Sequence, residues 1–174
     1  MRRLGHFAVP PAVVAVLLIM TVGCGHTNRP TPNPDLLGAA LLPGSVVPPV
    51  TDVEMQGTGT SSVGVVATRD SNGVITSATL DVQINFVGFP PNTIPTEAHI
   101  HRGDFGVSGS LEIDLQLVQG QVMLTTGAGT YLKQGIALTP LLAQELLTTP
   151  SAFYVDVHSV RNTPGLMRGQ LQHN

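Results

Sequence analysis

Ala78-Thr79-Leu80-Asp81-Val82-Gln83-Ile84-Asn85-Phe86 alternates apolar and polar side chains over nine consecutive positions. Successive side chains of a strand point to opposite faces, so this period of two predicts a strand with Ala78, Leu80, Val82, Ile84 and Phe86 on one buried face. Just upstream, residues 62–68 (SVGVVAT) form a second strand-like run, and Asp70-Ser71-Asn72-Gly73 separates the two. Asn-Gly tolerates positive φ, so the pair is expected as a hairpin. Downstream, Leu111, Ile113, Leu115 and Leu117 alternate with Glu112, Asp114 and Gln116, and Phe153, Val155 and Val157 alternate with Tyr154, Asp156 and His158. The expected core therefore includes Leu80, Val82, Ile84, Leu111, Ile113, Leu115, Val155 and Val157. Short strands are expected at residues 121–125 and 166–172. One helix fits: Thr139 can cap it, Pro140 suits its first position, LLAQELL follows, and Pro150 stops it. The expected fold class is all-β, an antiparallel sandwich with one short helix, over residues 59–174.

Composition narrows the function. The 174 residues are 11% charged with a formal net charge of −3, and Lys133 is the single lysine. A surface that tracks phosphates needs clustered basic residues, so no nucleic-acid partner is expected. One cysteine excludes an intrachain disulfide and any CxxC metal site. Ample apolar content excludes disorder throughout, and the excess of Ala, Glu, Lys, Leu and Arg that a helical bundle needs is missing.

The N-terminus reads as an export signal. Arg2 and Arg3 precede an apolar run over residues 12–20 (AVVAVLLIM), followed by Thr21-Val22-Gly23-Cys24. A charged start, a short apolar stretch and small residues before a cut site describe a secretory signal. The run falls short of the roughly 20 apolar residues of a spanning helix. TVGC resembles a bacterial lipoprotein signal, which implies that residues 1–23 are removed and that Cys24 becomes the lipidated first residue. The alternative is a conventional secreted product. Residues 24–58, with prolines at 30, 32, 34, 43, 48 and 49, are expected as a Pro-rich tether between that anchor and the domain.

Two segments carry the chemistry. In Ala98-His99-Ile100-His101 the two histidines share one strand face, about 6.6 Å apart along the backbone. In Phe153-Tyr154-Val155-Asp156-Val157-His158, followed by Asn162-Thr163-Pro164-Gly165 and Arg168-Gly169-Gln170, His158 shares a face with Tyr154 and Asp156. Together AHIHRGDFGVSGSLEIDL and FYVDVHSVRNTPGLMRGQLQ resemble the CHRD family, the domain first recognised in chordin and also found in exported bacterial proteins. The resemblance covers about residues 60–172. It implies an immunoglobulin-like β-sandwich related to the superoxide-dismutase fold, and no established activity. Arg102-Gly103-Asp104 stands where the family often has Gly-Pro, and Asp156 where Asn is common.

Two functional readings follow. One is an exported, lipid-anchored protein with a binding or structural role at the cell envelope, its partners the membrane and an envelope or extracellular protein ligand. The other is a mononuclear copper-binding or redox protein using His99, His101 and His158, since imidazole suits copper. Asp156 and Asp104 are the nearest acceptors in sequence for the second ring nitrogens of such ligands. Dinuclear dismutase chemistry is unsupported, because no histidine lies between residues 101 and 158, and His173 could join only if the tail folds back. Arg168 is expected to pair with Asp156 or to contact an anion. No catalytic residues emerge. Gly106-Val107-Ser108-Gly109-Ser110 misses the GxSxG pattern at its fifth position and precedes a strand instead of a helix. Arg102-Gly103-Asp104 reads as a turn, and Glu112 and Asp114 as a solvated strand face.

Overall fold

The computed structural model describes residues 33–174. The expected signal and Cys24 lie outside them, as does the first part of the expected tether. The chain order is β1 (Asp35–Leu41), 3-10 turns at Pro43–Ser45 and Val53–Gln56, β2 (Thr58–Arg69), β3 (Ile75–Val87), β4 (Pro95–Arg102), β5 (Ser110–Asp114), β6 (Gly129–Leu138), α1 (Pro140–Thr148), a 3-10 turn at Pro150–Ala152, β7 (Phe153–Ser159), β8 (Met167–Gln170) and β9 (Gln172–His173). Two antiparallel sheets result, one ordered β6-β3-β2-β1-β9 and the other β5-β4-β7-β8. The expected all-β sandwich with one short helix is the observed architecture.

The hairpin forms as the sequence reads it. Asp70 Oδ1 accepts from the backbone N–H groups of Asn72 and Val74, each at 2.9 Å, and Gly73 takes φ +82°. Leu80, Val82, Ile84 and Phe86 of β3 are all buried in the space between the sheets, where they meet Val63 and Val65 from β2 and Ile100, Val155 and Val157 from the facing sheet. The helix also follows its signals. Thr139 accepts from the Leu142 N–H at 3.2 Å, Pro140 opens the first turn, and Ala143 and Leu146 enter the core.

Four expectations fail for identifiable reasons. The tether ends early, because residues 35–41 form β1, which runs between β2 and β9 with Leu37 and Leu41 fully buried. The prolines at 34 and 43 bracket this strand and do not interrupt it, a placement the ladder tolerates. Leu111 is 55% exposed. The β4–β5 register shifts between Ile100 and His101, so that Ile113 lies opposite Ile100 while Leu111 lies opposite His101, and the bulge turns Leu111 outward. Residues 121–125 make no strand, only an isolated bridge of Leu124 to Thr93. The sequence around residue 170 divides into β8 and β9, which belong to different sheets.

Candidate functional site

Alternation on β4 and β7 decides which side chains meet. Ala98 and Ile100 face the core with Val155 and Val157. The other side of the same sheet therefore carries His99 and His101 from β4 with Tyr154, Asp156 and His158 from β7. In register, His99 lies opposite Asp156 and His101 opposite Tyr154. The three histidines named for a copper site come together on the outward face of the four-stranded sheet. His99 Nδ1 is 3.3 Å from His158 Nε2. The ring centroids of His99 and His101 are 5.5 Å apart.

Asp156 sits at the centre. Its Oδ1 lies 3.6 Å from His99 Nδ1, 3.4 Å from His101 Nε2 and 3.5 Å from His158 Nε2. None of these contacts completes a hydrogen bond: Asp156 Oδ1 and His101 Nε2 are both buried without a partner. Burial by itself pushes the Asp156 carboxyl up, but the three surrounding imidazoles outweigh it and hold the group well below the usual carboxylate range. In return Asp156 raises His101 and His158 above the ordinary imidazole value, against the opposing effect of burial.

The far sides of two rings are fixed by backbone carbonyls. His158 Nδ1 lies 2.7 Å from the Thr163 oxygen and His101 Nδ1 lies 3.1 Å from the Gly109 oxygen. A carbonyl can only accept, so each Nδ1 carries the proton, and in the neutral ring each Nε2 presents its lone pair toward Asp156. These carbonyls fill the role expected of Asp104; Asp156 is a member of the cluster itself.

A loop over residues 103–109 covers Tyr154, its Gly109 N–H meeting the phenol oxygen, and Asp156 is buried among the three histidines, although both point away from the core. Arg168 and Gln170, on β8, hold that loop. Arg168 Nη2 donates to the Asp104 carbonyl at 2.9 Å, and Gln170 Nε2 donates to the Gly103 carbonyl at 2.6 Å. The Arg168 guanidinium lies 3.4 Å from the Tyr154 ring centroid, and His101 stacks on the same ring at 5.1 Å. Arg168 faces Asp156 across the β7–β8 ladder. Its guanidinium nevertheless goes to the loop carbonyl and the Tyr154 ring, so the pairing expected with Asp156 is replaced by these contacts. The Tyr154 hydroxyl accepts from the Gly109 N–H at 3.1 Å, which sets the carbonyl that orients His101. Arg102 pairs with Glu112 and Glu145, so the Arg-Gly-Asp tripeptide is tied into the fold as a turn. His173, in β9, belongs to the other sheet.

A second polar group supports His158 from below and has no signal in the sequence. Glu54, only 3% exposed, accepts from Ser159 Oγ at 2.7 Å and from Asn162 Nδ2 at 2.6 Å. Asn162 also reaches Asp52. These contacts pin the segment that carries the Thr163 carbonyl. Asn162→Ala leaves the buried Glu54 carboxylate short of a donor and is expected to cost about 1–2 kcal/mol in urea unfolding. An unchanged midpoint would show that solvent replaces the amide.

The fold and cluster define a two-sheet β-sandwich that carries an imidazole–carboxylate group beside a loop on one outward face. The CHRD domain model matches residues 37–171, and the chain belongs to the CHRD family. The match begins within β1, in agreement with the earlier domain start. No curated protein and no solved structure matches the chain.

Proposed function

We propose that this CHRD-domain protein is exported, anchored through a lipid on Cys24, and serves a binding or structural role at the cell envelope. The observation that carries the reading is the CHRD match over residues 37–171, joined to a signal-like apolar run at residues 12–20 that Thr21-Val22-Gly23-Cys24 follows. A multiply acylated cysteine holds a protein stably at a bilayer where one chain alone would not. Residues 25–34, with prolines at 30, 32 and 34, then act as the spacer. Fully extended they reach no more than about 35 Å, which keeps the sandwich close to the membrane surface. Phe105 is 73% exposed and Val107 54% exposed on the 103–109 loop, and these side chains offer apolar contacts to an envelope or extracellular protein ligand. The family favours this role over redox chemistry.

Cys24→Ser is expected to move the protein from the membrane fraction to the soluble fraction of fractionated cells. Partitioning of the variant into detergent as complete as that of the wild type would refute the anchor.

A further inference from the structure

We propose that His99 Nδ1, His158 Nε2 and Asp156 Oδ1, with His101 Nε2 beside the same carboxylate, form a binding site for one first-row divalent cation of the zinc(II) or copper(II) type, which clamps β4 to β7 and to the segment that follows it. The inference goes beyond the envelope role and stands or falls separately from the lipid anchor.

Spacing is the first argument. An ion bound tetrahedrally at about 2.0–2.1 Å holds its donor atoms about 3.3–3.4 Å from one another. The separations here are 3.3 Å between His99 and His158, and 3.4 to 3.6 Å from Asp156 to the three rings. His99, Asp156 and His158 each offer a donor atom within 4.8 Å of the others; His101 Nε2 reaches only the carboxylate oxygen, at 3.4 Å, and stands outside that group.

Unsatisfied valence is the second. The carbonyls of Gly109 and Thr163 take the Nδ1 protons of His101 and His158, so in the neutral rings two nitrogen lone pairs and a carboxylate oxygen face one another inside the protein. Asp156 Oδ1 and His101 Nε2 have no hydrogen-bond partner. Buried polar atoms are nearly always paired, and an orphaned carboxylate oxygen ringed by imidazole lone pairs calls for a cation at the centre. One proton on His99 Nδ1 can serve only one of these acceptors, whereas a metal ion serves all of them.

The surroundings are the third. Histidine ligands characteristically donate their other ring N–H to a backbone carbonyl or carboxylate, which fixes tautomer and ring orientation. His101 and His158 have that arrangement, and the Tyr154 ring and the Asn162 segment hold the two carbonyl-bearing stretches in place. The donor set selects the ion: imidazole nitrogens with one carboxylate suit zinc or copper(II), while magnesium and calcium prefer oxygen. Three protein donors hold the ion and leave one tetrahedral position open.

The test uses the full chain carrying Cys24→Ser, which removes the only thiol, stripped with chelator and titrated calorimetrically with zinc(II), copper(II) and magnesium(II). The expected result is one equivalent of zinc or copper per chain and no magnesium. Binding is expected to weaken at least a hundredfold in His99→Ala and His158→Ala and at least tenfold in Asp156→Asn, and to be unchanged in His173→Ala. Absence of zinc and copper binding, or equal binding by all variants, would overturn the site. A readout on the unmutated cluster guards against variants that fail to fold. Copper(II) paramagnetic resonance of the chain with all six histidines present is expected to show coupling to two or three imidazole nitrogens, and coupling to one or none contradicts the proposal.

Discussion

Leu41→Ala destabilises the domain by about 2–5 kcal/mol, the range for emptying a well-packed leucine site. Leu41 is fully buried and ends β1, the strand that lies between β2 and β9. Immediately after it, Leu42 exchanges backbone hydrogen bonds with Arg168 of β8 at 3.0 and 3.1 Å, so this corner also joins the two sheets. A loss of this size is a large fraction of the roughly 5–15 kcal/mol that holds an ordinary domain together. The same reasoning predicts that a chain starting at residue 59 shows no cooperative unfolding transition, because it lacks β1 and leaves Val63 and Val65 without their neighbours. Urea denaturation followed by circular dichroism reads both. A midpoint unchanged by Leu41→Ala, or a cooperative transition in the shortened chain, would mean that residues 35–41 are an appendage to the sandwich.

Gly169→Ala is expected to cost about 3 kcal/mol, at the upper end for forcing extra volume into a packed site. A Cβ at Gly169 would stand 2.0 Å from the Ala40 carbonyl oxygen and 3.0 Å from a Leu41 methyl group. The nearest obstacle is the Ala40 backbone, so relief requires β8 to move away from β1. That motion carries Arg168 and Gln170 with it, and they are the residues that hold the 103–109 loop. Alongside a lower urea midpoint, the variant should lose protection from hydrogen exchange at the Gly109 amide, whose partner is the Tyr154 hydroxyl. Retained protection and an unchanged midpoint would contradict the close approach. The Arg168-Gly169-Gln170 tripeptide is thus intelligible residue by residue: two side chains that reach the loop backbone, with a glycine between them where two sheets touch.

What was legible in the sequence follows from where its periodicity is uninterrupted. The β2–β3 hairpin and the inward faces of β4 and β7 keep a strict period of two, and their buried residues follow from alternation alone. The period fails where a bulge intervenes. In β6, Tyr131 and Ile136 are both buried although five positions apart, because the ladder to β3 shifts between Leu80 and Val82 and Gly135 takes φ +73°. The bulge opposite His101 likewise reverses Leu111. β1 is obscured by its composition, since Gly38, Ala39 and Ala40 weaken the hydrophobic signal between flanking prolines. At the site, the shared face of His99 and His101 follows from strand spacing, and the approach of His158 from the family resemblance. The central place of Asp156 does not, because a polar residue on an outward face reads as solvated until the three histidines are seen to enclose it. Glu54 was out of reach altogether: its partners lie more than a hundred positions away in the chain.

The most direct measurement is a crystal structure of the protein grown with zinc(II), with anomalous diffraction collected on both sides of the zinc edge. The account predicts one strong anomalous peak bounded by His99 Nδ1, His158 Nε2 and Asp156 Oδ1, at about 2 Å from each. A site devoid of anomalous density, with Asp156 Oδ1 hydrogen-bonded to a protonated imidazole, would contradict it.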